Sequence, residues 1–450
     1  MLDQTEDTIV AIATAHGVGS ISIVRLSGPS SLEIAKQITK KSDFKVRYAT
    51  LSKLYDKGDE LIDESLIIYF KAPFSFTGED VIEFQCHGGI AISNMVLNEC
   101  IHHGARIANP GEFSKRAYFN DKIDLSQAEA IAKLIESRSE DGVKLLARQL
   151  DGELKTFVDD IKEKLLFMLA YSEVNIDYAE EDLPEDIYIQ IQNKLDSIKK
   201  VLISTLEASK RREGLIDGFK VAIVGKPNVG KSSLLNALLN KQRAIVSDIA
   251  GTTRDTIEES LKIGTHIIKI VDTAGIRDAS DEIEKIGIER SVEAVKDADI
   301  VIAIFDNSRE LENDDNDIIE LLRNQEDKHI ITILNKSDLE PHFQLNDSIM
   351  DECIKLNTKD NIDSLIERLT TTLDQNKHSD DITLISTRQI QCVADTLSEI
   401  NKAYEPLQSG ELEFFSHHIT EALEDISTIT KPYEHSQMLD KMFGEFCLGK

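Results

Sequence analysis

The sequence predicts an α/β domain inserted in an α-helical domain and preceded by an α+β N-terminal domain, on the basis of three patterns along the chain. β-rich runs such as SISIVRLSG and ESLIIYF alternate with turns and a few helical segments from Thr8 to about Tyr118. Long amphipathic helical segments begin at Asp124. Strand and helix patterns alternate between Phe219 and about Leu373, as in a parallel sheet, and helical patterning then returns. The predicted domains are residues 1–118 (α+β), 119–215 (first helical part), 216–376 (α/β) and 377–450 (second helical part with the tail FCLGK).

The first helical part opens with a sequence signal for a helix N-terminus. Ser126 is followed three residues later by Glu129, which is the spacing of a capping box. Because the α/β segment interrupts two stretches of similar helical patterning, we expect those stretches to form one helical domain around the insertion.

Length and charge limit the class of protein. The 450 residues correspond to two to four domains of roughly 100 to 200 residues each. The formal net charge of −30 at pH 7 excludes a broad nucleic-acid-binding surface, because contact with phosphates requires concentrated Lys and Arg. Any contact with RNA must therefore be local.

Cysteine usage and hydropathy indicate a cytoplasmic protein without membrane contact. The five cysteines form neither a CxxC pair nor a zinc-ligand spacing, which is typical of reduced thiols in a cytosol. The start MLDQTEDTIV lacks the basic segment and apolar core of a signal peptide. The densest apolar stretch, ADIVIAIF, is far shorter than the roughly 20 residues of a membrane-spanning helix.

A phosphate-binding loop follows the strand-like run FKVAIV. The segment GKPNVGKSS fits the pattern GxxxxGK[ST] from Gly225 to Ser232. Its glycines let backbone N–H groups converge on phosphate oxygens, and the helical run SSLLNALL adds the positive end of a helix. We expect Lys231 to contact the β- and γ-phosphates and Ser232 to ligate Mg²⁺.

Three further motifs follow in the order found in GTPases. GTTRD supplies Thr253 as a second Mg²⁺ ligand, and DTAG places Asp272 near the metal and the Gly275 N–H near the γ-phosphate. In NKSD, the Asp338 carboxylate can accept hydrogen bonds from the ring N–H and the amino group of guanine, so GTP is favoured over ATP. The fold class is therefore an α/β P-loop GTPase domain inserted in an α-helical domain, preceded by an α+β N-terminal domain. The residues predicted to bind the nucleotide are Asn228, Val229, Gly230, Lys231, Ser232, Ser233, Ser247, Asp248, Ile249, Ala250, Gly251, Thr252, Thr253, Asp272, Thr273, Ala274, Gly275, Asn335, Lys336, Ser337 and Asp338.

The residue after DTAG raises a question about mechanism. Ile276 stands where small GTPases carry a glutamine that orients the attacking water. The segment DTAGIRDASDEIEKIGIERS, together with GKPNVGKSS, DIAGTTRD, NPGEFSKRAYFNDKIDLSQAEAI and the terminal FCLGK, resembles the MnmE family of tRNA-modification GTPases, also called the TrmE family. The likeness covers nearly the whole chain.

The resemblance implies a potassium-dependent mechanism. Glu284 matches the family's catalytic glutamate, which positions the attacking water through another water when two GTPase domains pair face to face. A K⁺ ion beside the phosphates would offset charge as an arginine finger does. The implied K⁺ ligands are the side chain of Asn228 and the backbone oxygens of Ser247, Ile249 and Thr252. From the residues alone, an ordinary solvated helix residue is the favoured interpretation of Glu284, and a turn-forming asparagine explains Asn228 as well as K⁺ ligation does.

The resemblance also implies a folate site in the N-terminal domain. Arg25, Glu83, Lys122 and the terminal Lys450 match the family's folate-contacting positions, and the implied cofactor is 5-formyl- or methylene-tetrahydrofolate. A carboxylate can pair with the pterin amino and ring N–H groups, while Arg and Lys can hold the folate carboxylates. Cys447 is either a participant in the one-carbon chemistry or an apolar anchor. By their spacing alone these residues are scattered surface charges.

The function implied by the resemblance is modification of the wobble uridine of certain tRNAs with an aminomethyl-type or carboxymethylaminomethyl group. The partner would be the flavoprotein MnmG, also called GidA, and FAD and NADH would belong to it, since no GxGxxG follows a strand in this chain. The chain would form a homodimer through its N-terminal domain, with K⁺-dependent pairing of the GTPase domains.

Two alternatives remain open from the sequence. The first is a ribosome-assembly GTPase switch whose flanking domains bind RNA, and the second is a GTP-regulated scaffold without a folate role.

The chain departs from the family pattern in the final guanine-contacting loop. This loop reads KLN, Lys355 to Asn357, where relatives carry Ser-Ala-Lys, and the difference bears on the affinity for GTP.

Overall fold

The computed structural model describes most of the chain in segments. The described residues are 7–15, 17–177, 185–241, 259–271, 294–325, 328–344, 353–374, 382–431, 436–444, 446 and 449. The chain divides into two compact units. The first unit comprises Met1–Ala132, Gln149–Tyr188 and Ser398–Lys450, and the second comprises Lys133–Arg148 and Ile189–Leu397.

The first unit begins with a six-stranded sheet in the order β3-β4-β5-β2-β1-β6. All described neighbours in this sheet run antiparallel except β1 and β6. The strands and helices of this region are β1 Ile9–Ile12, β2 Ile21–Ser27, α1 Ser31–Thr39, β3 Thr50–Tyr55, β4 Leu61–Phe70, β5 Val81–His87, α2 Ile90–His102, β6 Arg106–Ile107 and α3 Glu112–Phe119.

Side-chain alternation along β2 decides which residues face the core of this sheet. Val24 and Leu26 are fully buried in the hydrophobic core, which also takes up apolar residues of α1 and α2. Arg25 lies between them and points to the opposite face, because successive side chains of a strand alternate. The β2–β5 register sets Arg25 directly opposite Glu83. The pleat thus places two predicted folate-binding residues side by side on the face away from the core.

A buried ion-pair network fixes α3 to the N-terminal strand region. The Arg116 side chain is 6% exposed and contacts carboxylates of Asp7, Glu79 and Glu112 at 2.7, 3.1 and 3.1 Å. Arg106 donates two hydrogen bonds to Glu112, from Nη1 at 2.8 Å and from Nη2 at 2.5 Å. Burial opposes ionisation of Glu112, but hydrogen bonds from Arg106, the Asn109 N–H and Arg116 outweigh it and hold the pKa of Glu112 below its usual range.

Helices complete the first unit, and their apolar faces follow helical spacing. On α6 (Glu153–Asp177) the buried residues include Leu154, Val158 and Ile161, and this helix packs against α12 (Leu412–Ser427).

The remaining described helices belong to both units. They are α4 Leu125–Glu136, α5 Glu140–Leu150, α7 Glu185–Asp217, α8 Lys231–Lys241, α9 Asn313–Arg323, α10 Asp363–Asp374, α11 Thr387–Ser409 and α13 Ser436–Gly444. The described residues contain no helix that is long and apolar enough to cross a membrane.

The second unit contains a six-stranded sheet in the order β12-β11-β10-β7-β9-β8. Its strands are β7 Phe219–Val224, β8 Glu259–Ile263, β9 His266–Val271, β10 Ile300–Asp306, β11 His329–Asn335 and β12 Ile354–Lys355. All described pairs are parallel except the β8–β9 hairpin. Every residue of β10 is buried, as expected for a central strand covered on both faces. Helices flank a mainly parallel sheet here, and this confirms the predicted fold class.

The start of α5 is bonded to the tip of the β8–β9 hairpin within the second unit. Thr265 Oγ1 donates to Asp141 Oδ2 at 2.7 Å, and Lys262 Nζ lies 3.1 Å from Glu140 Oε1. A helix that precedes the β7–β12 sheet in sequence therefore forms polar contacts with this sheet.

We expect the ion-pair network around Arg116 to make the stability of the first unit fall on acidification. A carboxyl group whose pKa is depressed in the folded state stabilises the fold above its unfolded pKa, roughly 4.3 for Glu, and this contribution is lost as the pH falls through the folded pKa. Glu112→Gln is expected to lower the free energy of unfolding by about 1–3 kcal/mol at pH 7. Urea unfolding at pH 7 and at successively lower pH measures the difference, which should shrink below the unfolded pKa. A difference that stays constant over this range contradicts the assignment.

Candidate functional site

The phosphate-binding loop connects β7 to α8 and is shaped by residues with positive φ. Gly225, Asn228 and Gly230 have φ of 158°, 64° and 111°. A Cβ atom at Gly225 would lie 2.4 Å from the carbonyl oxygen of Ile304, so the loop approaches β10 more closely than a larger residue permits. Helix α8 begins directly afterwards at Lys231, which directs its free N–H groups toward the loop. This is the geometry of a phosphate site.

Lys231 holds its ammonium group over the loop. Its Nζ donates hydrogen bonds to the carbonyl oxygens of Gly225 and Lys226, at 2.5 and 2.9 Å. Burial lowers the pKa of Lys231, because removal from water disfavours the charged form. The two carbonyl oxygens carry only partial negative charge. An anionic ligand in the loop would supply the full negative charge that the Lys231 ammonium lacks.

The buried amide of Asn335 joins the phosphate-binding loop to the end of β11 and to the segment after β12. Its Nδ2 donates to the carbonyl oxygen of Val229 at 2.7 Å, and its Oδ1 accepts from the Thr358 N–H at 3.0 Å. Asn335 is 2% exposed. The first residue of NKSD is therefore a structural bridge, and Asp338, three residues later, is exposed and available to a base.

The loop with the divergent sequence KLN lies beside this bridge. Lys355 ends β12, and Leu356 is 4% exposed within the hydrophobic core of the sheet. The Ser337 N–H donates to the Leu356 carbonyl oxygen at 3.3 Å. The larger apolar side chain is thus accommodated by the core, while the backbone of the loop stays bonded to NKSD.

Sequence reasoning missed three residues that support the nucleotide site. Lys226 is 6% exposed and pairs with Asp315 at 2.7 Å and with Glu312 at 2.9 Å, which form the capping box of α9. Burial alone would lower the pKa of Lys226, but hydrogen bonds from its ammonium to both carboxylates raise it above its usual value. The spacing of Glu312 and Asp315 is a sequence signal for a helix start, although it does not predict the partner.

Lys336 of NKSD also has a partner that the motif does not predict. Its Nζ lies 2.6 Å from Asp306 Oδ2, at the carboxyl end of β10. Burial opposes ionisation of Asp306, but hydrogen bonds from Lys336 and Ser308 hold the pKa of Asp306 below its usual range. Adjacent parallel strands bring the two residues together, because β10 and β11 end at the same edge of the sheet.

The structure brings together the predicted nucleotide-binding residues that it describes. These are Asn228, Val229, Gly230, Lys231, Ser232, Ser233, Asn335, Lys336, Ser337 and Asp338. The predicted residues outside the described part of the chain are Ser247, Asp248, Ile249, Ala250, Gly251, Thr252, Thr253, Asp272, Thr273, Ala274, Gly275, Glu284, Cys447 and Lys450. Among the described residues, no cluster of three or more His, Cys, Asp or Glu side chains could hold a metal ion.

A second polar site lies on the face of the N-terminal sheet opposite its main core, beside Phe113 of α3. Arg25 Nε and Nη2 each lie 2.9 Å from Glu83 Oε1. The Arg25 guanidinium also lies 5.8 Å from the ring centroid of Phe76 and 5.7 Å from that of Phe113. Both contacts of Arg25 are with the same carboxylate oxygen of Glu83, so the second oxygen remains an acceptor for a planar ligand with two adjacent N–H donors.

Lys122 lies beside the loop that also contacts Arg25. Gly78, two residues after Phe76, has φ of 80°, and a Cβ atom there would lie 3.0 Å from Cε of Lys122. The Lys122 stem therefore passes closely over the backbone of Gly78, while Arg25 contacts Phe76 of the same loop. Arg25 and Lys122 thus border one loop, residues 76–78, and Glu83 is bonded to Arg25.

Comparisons with known proteins cover the full chain. The family model of the N-terminus of the GTP-binding protein TrmE matches residues 8–122. The family model of the MnmE helical domain matches residues 125–447. The tRNA modification GTPase MnmE of Aliarcobacter butzleri is 67% identical over 444 residues, which is 99% of both chains. The protein of the same name from Sulfurimonas denitrificans is 59% identical over 447 residues, covering 99% of this chain and 100% of that one.

A solved structure is also similar in part. The crystal structure of Era in complex with MgGDPNP and nucleotides of 16S ribosomal RNA is 25% identical, with a TM-score of 0.26. The match covers 40% of this chain and 66% of that chain. The family assignment does not depend on it, because the relatives above match along their whole length.

We expect Gly230→Ala to weaken binding of GTP. The added Cβ would lie 2.2 Å from Asn335 Nδ2 at a φ of 111°, so either the bridge to Val229 or the loop backbone must move. Loss of this buried hydrogen bond and of the loop geometry is expected to lower affinity about tenfold or more. Titration with a fluorescent GTP analogue measures the change. Gly444→Ala is the matched control, because a Cβ there meets no atom within 4 Å, and equal affinities of both variants and the unmodified protein would contradict the role of the bridge.

Proposed function

This chain belongs to the MnmE family of tRNA modification GTPases, and we propose that its GTP hydrolysis depends on K⁺ and drives modification of the wobble uridine of certain tRNAs with a folate-borne one-carbon unit. The chain is a GTPase that acts in tRNA modification, as its full-length relatives are. The observation that carries the GTPase assignment at the level of residues is the Asn335 bridge, which holds the phosphate-binding loop beside the base-reading motif.

The potassium part of the proposal is supported by the shape of the phosphate-binding loop. Asn228 is exposed and has a left-handed backbone, which turns its side chain out of the regular path of the loop. Its side-chain oxygen is a hard ligand of the kind that K⁺ accepts, and the backbone oxygens of Ser247, Ile249 and Thr252 would complete the site. Mg²⁺ would be held by Ser232 and Thr253, and the ion pair of Lys226 with Asp315 would keep the loop in place.

The catalytic part assigns Glu284 the role that a glutamine has in small GTPases. A carboxylate can accept a hydrogen bond from water and orient it for in-line attack on the γ-phosphate. The apolar Ile276 cannot do this. We propose that Glu284 acts when two GTPase domains pair around K⁺, so that positioning of water and neutralisation of charge occur together.

The folate part is supported by the pair of Arg25 and Glu83. Glu83 can accept from the amino and ring N–H groups of a pterin, and Arg25 orients the carboxylate, while the rings of Phe76 and Phe113 lie beside the Arg25 guanidinium. Lys122 and Lys450 would hold carboxylates of 5-formyl- or methylene-tetrahydrofolate. Cys447 would lie near the one-carbon unit, and its chemical role is not assigned.

The proposed reaction requires a flavin-containing partner, a tRNA substrate and a second copy of this chain. MnmG would supply FAD and NADH, tRNA would be the substrate, and the complex would act in the cytoplasm. A homodimer through the N-terminal domain would bring two GTPase domains into pairing range. The ribosome-assembly alternative is less well supported, because the full-length relatives carry the tRNA-modification name.

We expect Glu284→Ala to reduce GTP turnover in potassium chloride at least tenfold, because groups that stabilise the transition state of phosphoryl transfer contribute roughly 10³–10⁵ in rate. GTP affinity should stay within about twofold, since the role is confined to the transition state. Turnover of the unmodified protein and of Glu282→Ala, a neighbouring carboxylate, is measured in potassium and sodium chloride at matched ionic strength. Equal turnover in the two salts would overturn the K⁺ role, and unchanged turnover of Glu284→Ala would overturn the role of the glutamate.

We expect Glu83→Gln to weaken binding of 5-formyl-tetrahydrofolate about tenfold or more, since a hydrogen bond to a charged group contributes about 1.5–3 kcal/mol. The amide keeps the size of the side chain but loses the charge that pairs with Arg25 and the second acceptor oxygen. Equilibrium dialysis measures the dissociation constant. Glu64→Gln on the neighbouring strand β4 is the matched control, because Glu64 is exposed, and a loss of equal size in both variants would argue against a specific role of Glu83.

A further inference from the structure

A cavity of about 470 Å³ lies within the first unit, beside the loop that carries Lys122. Its volume is in the range of roughly 300–1,000 Å³ that small-molecule sites occupy. The walls include Tyr118 and Lys122 from the end of α3 and the loop after it, Lys155 and Lys162 from α6, and Lys431 after α12. Three parts of the chain that are far apart in sequence therefore direct lysines into one space.

The four lysines are concentrated despite a net charge of −30 for the whole chain. Lys155 and Lys162 are seven residues apart, which is about two turns, so both lie on the same face of α6. None of the four ammonium groups lies within 4.0 Å of a carboxylate in the described part of the chain. Each can therefore bind an anion without first breaking an ion pair.

The cavity also offers acceptors. Asp121, Asp124 and Asp159 contribute to its walls. Asp124 Oδ1 caps the start of α4 by accepting from the Gln127 N–H at 2.9 Å and from Ser126 Oγ at 2.6 Å. The predicted capping box of Ser126 and Glu129 is therefore wrong: Ser126 lies inside the helix, and Gln127 bonds back to the Asp124 N–H. The Oδ2 of Asp124 is buried out of reach of solvent, so the exposed carboxylates of Asp121 and Asp159 are the acceptors that the cavity offers to a ligand. The lining therefore combines lysines that attract carboxylates with carboxylates that can accept from N–H donors.

Lys122 connects this cavity to the proposed folate site. Its stem passes over Gly78, and Phe76 of the same loop contacts the Arg25 guanidinium. A folate with its pterin at Arg25 and Glu83 and its glutamate carboxylates at Lys122 would extend toward Lys155, Lys162 and Lys431. The pterin would thus lie at one end of the ligand, and the glutamate carboxylates would lie at the other end, toward the cavity.

We propose that the cavity binds the poly-γ-glutamate tail of the folate cofactor, an inference that rests on the proposed folate site. Each added γ-glutamyl unit carries one free carboxylate and one amide N–H group. The carboxylates match the lysines, and the amide N–H groups match the exposed carboxylates of Asp121 and Asp159. An RNA backbone fits less well, because its phosphates offer acceptor oxygens but no amide N–H group for the aspartates of the wall.

The test compares mono- and tri-γ-glutamyl forms of 5-formyl-tetrahydrofolate on the full-length protein. The triglutamate is expected to bind about tenfold more tightly, because two additional carboxylates each gain partly exposed ion pairs. In the double variant Lys155→Gln with Lys162→Gln, the triglutamate should lose this advantage while the monoglutamate binds as before. Lys164→Gln is the matched control, since Lys164 is on α6 but pairs with Asp160 and does not line the cavity.

The outcomes separate the tail site from the folate site itself. Failure of both ligands to bind the unmodified protein overturns the proposed folate function. Binding of the monoglutamate with no gain for the triglutamate leaves the folate function in place and overturns the tail site. Equal affinities for both folates together with a weaker affinity of the double variant for tRNA would assign the cavity to RNA and overturn the proposal. Retention of the monoglutamate affinity shows that the double variant is folded.

Discussion

The buried amide of Asn335 is the interaction on which the nucleotide site depends. It bonds the phosphate-binding loop at Val229 and the segment after β12 at Thr358 through the two ends of one side chain. Because an unsatisfied buried amide costs more than a normal hydrogen bond contributes, the two segments cannot separate without loss. Phosphate binding and base reading are thereby held in one geometry before any ligand arrives. Preorganisation of this kind reduces the free energy that binding must spend on ordering the site.

Around this bridge, ion pairs with low exposure hold the loop and the motif residues in place. Lys226 and Asp315 are 6% and 1% exposed at their side chains, and the buried Asp306 pairs with the partly exposed Lys336. Removing one partner from such pairs would leave a buried charge, so these residues constrain the site more strongly than surface pairs do. The same principle operates around Arg116 in the first unit, where three carboxylates share one guanidinium beside the sheet that carries Arg25 and Glu83. Both units therefore support polar binding residues with buried charges.

The acidic composition requires anion binding to depend on local basic groups. A chain with a net charge of −30 repels anions at long range, so an anionic ligand must be bound by groups that converge at short range. The phosphate-binding loop does this with backbone N–H groups and Lys231. In the proposed tail site, lysines contributed by separate helices and loops would do the same. Specific anions can bind at such places while nonspecific binding of nucleic acid stays weak.

The sequence by itself determined the fold class, the order of the domains and the nucleotide motifs, because these depend on local periodicity and on short spacings within one loop. It also contained the strand alternation that separates Arg25 from the core residues Val24 and Leu26. The tertiary structure alone decided which distant residues meet: Lys226 with Asp315, Lys336 with Asp306, Asn335 with Thr358, and the four lysines around one cavity. The physical reason is that local sequence patterns encode backbone conformation and the buried face of each element. The partner across a sheet edge or a helix interface is set by packing, which no short stretch of sequence specifies.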